Sequence, residues 1–330
     1  MISTIKDVAR VAGVSTSTVS KVLNNYDRIS EKTKAKVYEA VKELNFIPNT
    51  TASMLSSKKR HKVALYIYVN DLKQAIDEIN MQYLLGAFKM AQELHLEVIT
   101  IFNQMVSHLN ADELTNYLAS ESVNAVIVYG LNKEDKLILE LIERQDFYFT
   151  LVDSPITNKK TSSVMIDHAK GQYDVAKAML EKDYDHKILY IAGKHNAYVT
   201  DLRLEGIKRL AKEYALDLQI EYGDFSELKA YNLAKQYASH VDSIICASDL
   251  MAIGAMNALI QMNIYRKCCG FDGITLMGYA GKQMLTCKQD FSKISEAAIQ
   301  EIVNLINGEA SRSLILEHSI VQITYNDVLV

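Results

Sequence analysis

At 330 residues with 49% apolar composition, the chain exceeds one ordinary domain and can bury a large core. No run of 18 apolar residues occurs, and the N-terminus alternates charge with single apolar residues, which argues against a membrane span or signal peptide and for a cytoplasmic protein. The net charge of −4 hides a basic arm: residues 1–60 hold 11 Lys and Arg against 5 Asp and Glu, leaving −10 for the rest.

The first elements read as a helix-turn-helix. Thr4 stands at a helix N-cap with Asp7 three places on, and Val8, Ala9, Val11 and Ala12 form a small apolar face before a turn at Gly13. Ser15 caps a second helix that buries Val19, Val22 and Leu23 and turns Thr16, Ser17, Ser20 and Lys21 outward. Hydroxyls and one ammonium on a short exposed face suit base edges and phosphates in a major groove, although a helical hairpin of no such role shares the spacing. Ser30 caps a third helix carrying Val37, Ala40, Val41 and Leu44 at helical spacing, with Lys32, Lys34, Lys36 and Lys42 on its other surface.

Pro48 ends this headpiece. The polar stretch that follows is a linker by default, but Asn49 is placed to cap a short helix over residues 50–56 that needs a partner to persist. Two copies in a minor groove would drive Leu55 between base steps.

Beyond residue 61, short apolar runs alternate with helical patterns. Runs from Val63, Val126, Phe147, Lys187, Ser243 and Ile274 read as parallel strands, with amphipathic stretches Met81–Leu94, His168–Leu180 and Leu202–Tyr214 between them. A break at Ser154-Pro155 suggests a second sheet, and VQITYNDVLV reads as a terminal strand. Helices on both faces of parallel sheets make an α/β body. Cys246, Cys268, Cys269 and Cys287 lack C-x-x-C spacing and read as reduced thiols, and no metal or cofactor site is suggested.

From Thr4 to Leu55 the segments TIKDVARVAGVS, TVSKVLN, the IS before the third helix and FIPN resemble the LacI/GalR family of bacterial transcription regulators, at almost every headpiece position. The resemblance implies base reading by Thr16, Ser17 and Lys21 and phosphate contacts from Thr18 and Ser20. It adds DNA contacts at Asn24, Asn49 and Ala52 and a hinge leucine at Leu55. Lys21 replaces the more usual arginine, exchanging a planar fork for a point charge, and Ser53 stands where a longer side chain is common.

The body resembles, more loosely, the two-lobed periplasmic-binding-protein-like body of that family. The implied organisation is a DNA-binding domain over 1–47, a hinge over 48–61 and an effector-binding, dimerising body over 62–330. Lobe one would span 62–154 and 288–316, and lobe two 155–287 and 317–330. Effector contacts are implied at Asp153, Arg203, Phe225, Ser248 and Asp249, where loops at strand C-termini meet a cleft. A carboxylate common in the family is absent at Ala280-Gly281, which suggests a ligand with fewer hydroxyls or one with a phosphate or carboxylate facing Arg203. His168 stands where asparagine is usual, beside Asp167, and the stretch Asn263–Asp272 lacks the usual proline.

No nucleophile elbow, phosphate-binding glycine loop or metal spacing supports an enzyme. The reading is a cytoplasmic homodimeric repressor of carbohydrate-use genes, bound to a palindromic operator and controlled by a sugar or sugar derivative, with Met81, Leu84, Leu85 and Phe88 at the dimer face or in the core. A protein-corepressor mechanism is the alternative, but the Met-Arg pair used for it in related proteins is replaced by Glu296-Ala297. A sugar-binding protein with no gene-control role leaves the basic headpiece unexplained.

Overall fold

The computed structural model describes residues 5–23, 29–44, 62–69, 78–180, 186–280 and 282–329. The chain divides into two compact units between Lys59 and Arg60.

The first unit holds helices α1 (Ile5–Ala12), α2 (Thr16–Leu23) and α3 (Glu31–Glu43). Gly13 makes the α1–α2 turn at φ +65, a conformation that costs residues with a Cβ about 1 kcal/mol or more. Ser15 Oγ accepts from the Thr18 amide at 3.1 Å, and Ser30 Oγ from the Thr33 amide at 3.3 Å, so both expected caps are present. Val8, Ala9, Ala12, Val19, Val22, Val37 and Ala40 form the core. Val11 is exposed instead, because steps of about 100° per residue carry it well off the face centred on Val8 and Ala12. The expected cap at Thr4 lies outside the described residues.

The second unit contains two six-stranded sheets. The first orders β1 (Lys62–Ile67), β2 (Glu97–Phe102), β3 (Val123–Tyr129), β4 (Tyr148–Val152), β5 (Thr161–Ile166) and β11 (Ser313–Leu316) as β11-β5-β4-β3-β1-β2, all parallel. The second contains β6 (Lys187–Ala192), β7 (Asp217–Tyr222), β8 (Ser243–Cys246), β9 (Lys267–Asp272), β10 (Leu285–Lys288) and β12 (Ser319–Gln322). Its order is β12-β10-β9-β8-β6-β7, and only β12 is antiparallel to its neighbour. Central strands β1, β3, β6 and β8 are apolar and buried almost throughout, as strands covered on both faces must be.

Four helices position the cleft: α4 (Glu78–Glu93), α8 (His168–Met179), α9 (Tyr198–Glu213) and α12 (Phe291–Ile306). Between α4 and α8 lie α5 (Asn103–Val106), α6 (Ala111–Ser120) and α7 (Lys136–Arg144), and between α9 and α12 lie α10 (Glu227–Tyr237) and α11 (Asp249–Gln261). A Cβ on Gly206 would collide with the Ala169 carbonyl, so its absence lets α9 lie against the start of α8.

Three expectations need correction. Lobe one does not end at residue 154, because β5 pairs in register with β4; its Thr161, Ser162 and Ser163 are fully buried, and two hydroxyls are satisfied by Ser163 donating to the Ser154 carbonyl and Ser162 accepting from the Arg312 amide. The run from Ile274 is a 3₁₀ turn over Thr275–Tyr279, and the strand of that region is β9. The terminal strand stops at Gln322, followed by a short turn in which Asp327 Oδ2 accepts from the Thr324 amide at 2.7 Å. All four cysteines are buried and free, and burial holds the thiols of Cys246, Cys269 and Cys287 above their ordinary range.

Candidate functional site

On α2, Thr16, Ser17 and Lys21 are exposed and Thr18 is half-buried. Ser15 Oγ lies 2.8 Å from both Ser17 Oγ and Thr18 Oγ1, so these hydroxyls are held along one edge of the helix start. Ser20 lies on the same helix, whereas Asn24, Asn49, Ala52 and Leu55 fall outside the described residues.

In the body, both sheets reverse strand order, between β1 and β3 in lobe one and between β6 and β8 in lobe two. Loops leaving strand C-termini at such points line ligand crevices. Asp153 follows β4 in a left-handed conformation, φ +61, which aims its carboxylate at two partners. Oδ1 lies 2.9 Å from His168 Nε2, and Oδ2 accepts from the Tyr83 hydroxyl at 2.9 Å. Burial opposes the charge of Asp153, but His168, Tyr83 and Arg203 outweigh it and hold the carboxyl below its usual range.

Arg203, only 4% exposed, donates from Nε to His168 Nδ1 at 3.4 Å, from one terminal nitrogen to the Ala247 carbonyl and from the other to Asp272 Oδ1 at 3.2 Å. Its guanidinium carbon stands 3.8 Å from the Phe271 ring centroid. Gln289 also donates to Asp272 Oδ1 at 3.1 Å, so a buried polar chain runs Tyr83, Asp153, His168, Arg203, Asp272, Gln289. It begins in lobe one and ends at the crossover between β10 and α12.

Asp153 and Arg203 are thus brought together, but through His168 rather than directly. Ser248 and Asp249 stand next to Ala247 and serve the architecture: Ser248 Oγ caps α11 through the Met251 amide at 3.4 Å, and Asp249 Oδ2 accepts from the Gly273 and Ile274 amides at 2.7 and 2.9 Å. Phe225, at φ +58, packs against Gly193 and Thr200, where any Cβ on Gly193 would strike the ring. Asp272, Tyr83 and Gln289 were not expected. Asp272 carries a readable signal, an acid closing the run KCCGFD, whereas nothing local marks Tyr83 on a helix 70 positions before Asp153.

The cleft is closed at its rim. Lys133 and Asn196 pair through backbone at 2.8 Å, Asn132 and Ala197 form an antiparallel bridge, and Asn196 Nδ2 donates to Glu134 at 3.0 Å. Lys133 also meets Asp201 in a close ion pair. Elsewhere the Glu78 carboxylate accepts from the Thr275 amide and, at 2.7 Å, from its hydroxyl. A groove lined by Met179, Met256, Tyr265 and Lys282 opens near the start of β9 and β10, away from this cleft.

Burial pushes Asp272 up to about 7 and Asp249 up to about 6, with Arg203 offsetting part of the effect at Asp272 and backbone and Thr286 donors part of it at Asp249. Raised carboxyls bind more protons folded than unfolded, so their stabilisation is full below the unfolded value near 4 and is lost as pH rises to about 7. His168 works oppositely, because burial lowers its pKa and stability falls as pH drops below 6.5. Between pH 6.5 and 8 the acids govern. Asp272→Asn is therefore expected to flatten the loss of stability across that window by up to ~1 kcal/mol per pH unit in urea titrations. An unchanged slope would contradict this assignment.

Residues 4–49 match the family described as bacterial regulatory proteins, lacI family, and residues 72–310 match the periplasmic binding protein domain. The HTH-type transcriptional regulator RegA of Clostridium saccharobutylicum is 27% identical over 98% of both chains. Among solved structures, the transcriptional regulator CelR in complex with cellobiose superposes with a TM-score of 0.71 at 24% identity, over 98% of this chain and 99% of that one. The lac repressor dimer bound to operator and the anti-inducer ONPF gives 0.67 at 23% identity, over the whole of both chains.

Proposed function

Because the chain belongs to the LacI family of bacterial regulatory proteins, helix-turn-helix transcriptional regulators rather than enzymes, we propose that it is a cytoplasmic repressor of carbohydrate-use genes gated by a small neutral saccharide. One observation carries the choice of ligand: every nitrogen of Arg203 already has a partner within the protein. Asp153, Asp249 and Asp272 surround that single guanidinium, so a phosphate or carboxylate would enter a field of acids. An uncharged polyol instead donates hydroxyls to Asp153 and Asp272, whose carboxylates no backbone amide among the described residues claims, and stacks on Phe225. The relative solved with cellobiose supports this class over the anionic ligand that the absent acid at Ala280 suggested.

Ligand seated between the lobes biases their relative orientation, and a coupling free energy of about 1–3 kcal/mol suffices for a five- to 150-fold change in operator affinity. Two-fold symmetry supplies the readout. Met81, Leu85 and Phe88 form an exposed row on α4, with Leu84 turned to the core, and this row serves as part of a dimer face that places two headpieces on a palindromic operator. Glu296, which stands where related regulators carry part of a Met-Arg pair for a protein corepressor, is engaged by Lys89 at 2.9 Å.

The test is a thermal-shift panel of neutral mono- and disaccharides, sugar phosphates and small acids, followed by operator titration with each stabilising compound. Stabilisation by neutral sugars is expected, with an operator affinity change of five-fold or more. Stabilisation by sugar phosphates or acids alone would overturn the ligand class.

A further inference from the structure

At the end of lobe two away from the cleft, where β9 and β10 start rather than finish, lies a groove of about 230 Å³. Its floor is Met179 from α8, Met256 from α11, Met284 and Cys268, all buried, with the Cys268 thiol turned to the Ala252 carbonyl at 3.8 Å. Thioethers are polarisable and mould to the faces and edges of aromatic rings. The rim differs in kind. Tyr265, Arg266, Lys267 and Lys282 stand around it, and among the described residues lining the groove none is acidic. Tyr265 is 72% exposed, the most exposed large apolar side chain among the described residues, and the Lys282 ammonium lies 5.2 Å from its ring centroid. Arg266 is fixed in place, Nε donating to the Ala238 carbonyl at 3.0 Å and Nη1 to the Tyr265 carbonyl at 2.8 Å. The acid that feels Arg266, Asp242, already accepts from the His186 and Lys187 amides at 3.0 and 2.8 Å.

We propose that this groove is a second small-molecule site, separate from the effector cleft, that takes a flat organic anion. One or two aromatic rings lie on the methionine floor and against Tyr265, and a carboxylate or similar group meets Lys282 and Arg266. The charge of the rim selects an anion, because cations facing a partly enclosed apolar surface attract the opposite sign. The floor selects the body of the ligand. A saccharide would set its hydroxyls against thioethers, which are weak acceptors, whereas a ring gains contact with all three sulfurs. The volume suits a small molecule and is too small to seat a helix about 10–12 Å across. Gln283 and Gln322, which also line the groove, are tied to each other at 3.0 Å and leave the cationic side as the polar end.

The test is a titration of the whole chain, labelled with carbon-13 at its methionine methyls, with 1-naphthoate and with its neutral counterpart 1-naphthamide. The chain has twelve methionines, three of them in the floor, so the other nine are internal controls. Met179→Leu, Met256→Leu and Met284→Leu, which nearly conserve volume, assign the three signals. Naphthoate is expected to shift these three methyls by its ring current in a saturable way, and naphthamide to bind at least roughly five-fold more weakly. Lys282→Glu changes only an exposed side chain, and should weaken naphthoate roughly five- to ten-fold while leaving naphthamide unchanged. Added salt should weaken naphthoate alone. Equal binding of the two compounds, shifts confined to other methionines, or no shift up to the solubility limit overturns the proposal. Floor signals that move with protein concentration instead would assign the groove to a second copy of the chain and overturn it equally. No sugar enters the titration, so this site and the saccharide reading of the cleft can fail separately.

Discussion

Arg203→Ala is expected to cost about 3–5 kcal/mol of stability at pH 8, where Asp272, pushed up to about 7, is ionised and is left buried without its cation. The variant also strips an acceptor's partner from His168 Nδ1 and from the Ala247 carbonyl, and removes the guanidinium from the Phe271 ring. Denaturant unfolding reads the effect as a lower midpoint at unchanged slope. Arg203→Lys should fall between, since an ammonium can reach Asp272 but supplies neither the Nε donor to His168 nor the planar stack. Arg144→Ala is the control: its pairs with Asp112 and Glu140 lie at the surface, where such pairs contribute about 0–1 kcal/mol. A loss at Arg203 no larger than at Arg144 would mean that the polar chain through the cleft does not hold the lobes.

What could be read along the chain follows from how local each determinant is. The headpiece was legible because its caps, turn and core positions fall within a few residues of one another: Ser15 caps through Thr18, Ser30 through Thr33, and Gly13 turns the chain by its own conformation. The alternation of strands and helices was legible wherever strands are central and apolar, as in β1, β3 and β6. Edge strands β2 and β7 are only partly buried, β7 breaking its apolar residues with Gln219 and Glu221, and β5 opens with three hydroxyl residues whose burial depends on Ser154 and Arg312 far away in sequence or across a turn. Ile274 began an apolar run that looked like a strand. Asp249 holds its first amides, and Gly273 at φ +80 bends the backbone into a 3₁₀ turn instead.

The cleft shows the same division. Asp153 follows the end of β4 and Arg203 lies in the second turn of α9, so position alone points to them. Their partners do not follow from position, since Arg203 meets Asp272 across 69 residues and Asp153 meets Tyr83 across 70. Ser248 and Asp249 sit at an equally suggestive strand end, yet the amides of α11 and the β9 turn claim their side chains.

The second large effect is expected on α2, where Lys21 stands exposed in the last turn and Ser17 in the first. Base-edge contacts contribute about 1–3 kcal/mol each, so Lys21→Ala should weaken specific binding roughly ten- to 100-fold and leave non-specific binding nearly intact. Lys21→Arg supplies a bidentate fork and should shift preference toward guanine at one position in each half-site. Neither change disturbs the headpiece core of Val8, Val19, Val22 and Val37, so folding is not the variable.

Selection of binding sites from random DNA, run in parallel on the wild type and on Lys21→Arg, tests the account most directly. The wild type should return a palindrome of two half-sites, and the variant the same palindrome with one altered base in each half. Absence of a palindrome, or identical selected sites from both proteins, would contradict the assignment of α2 as the element that reads DNA.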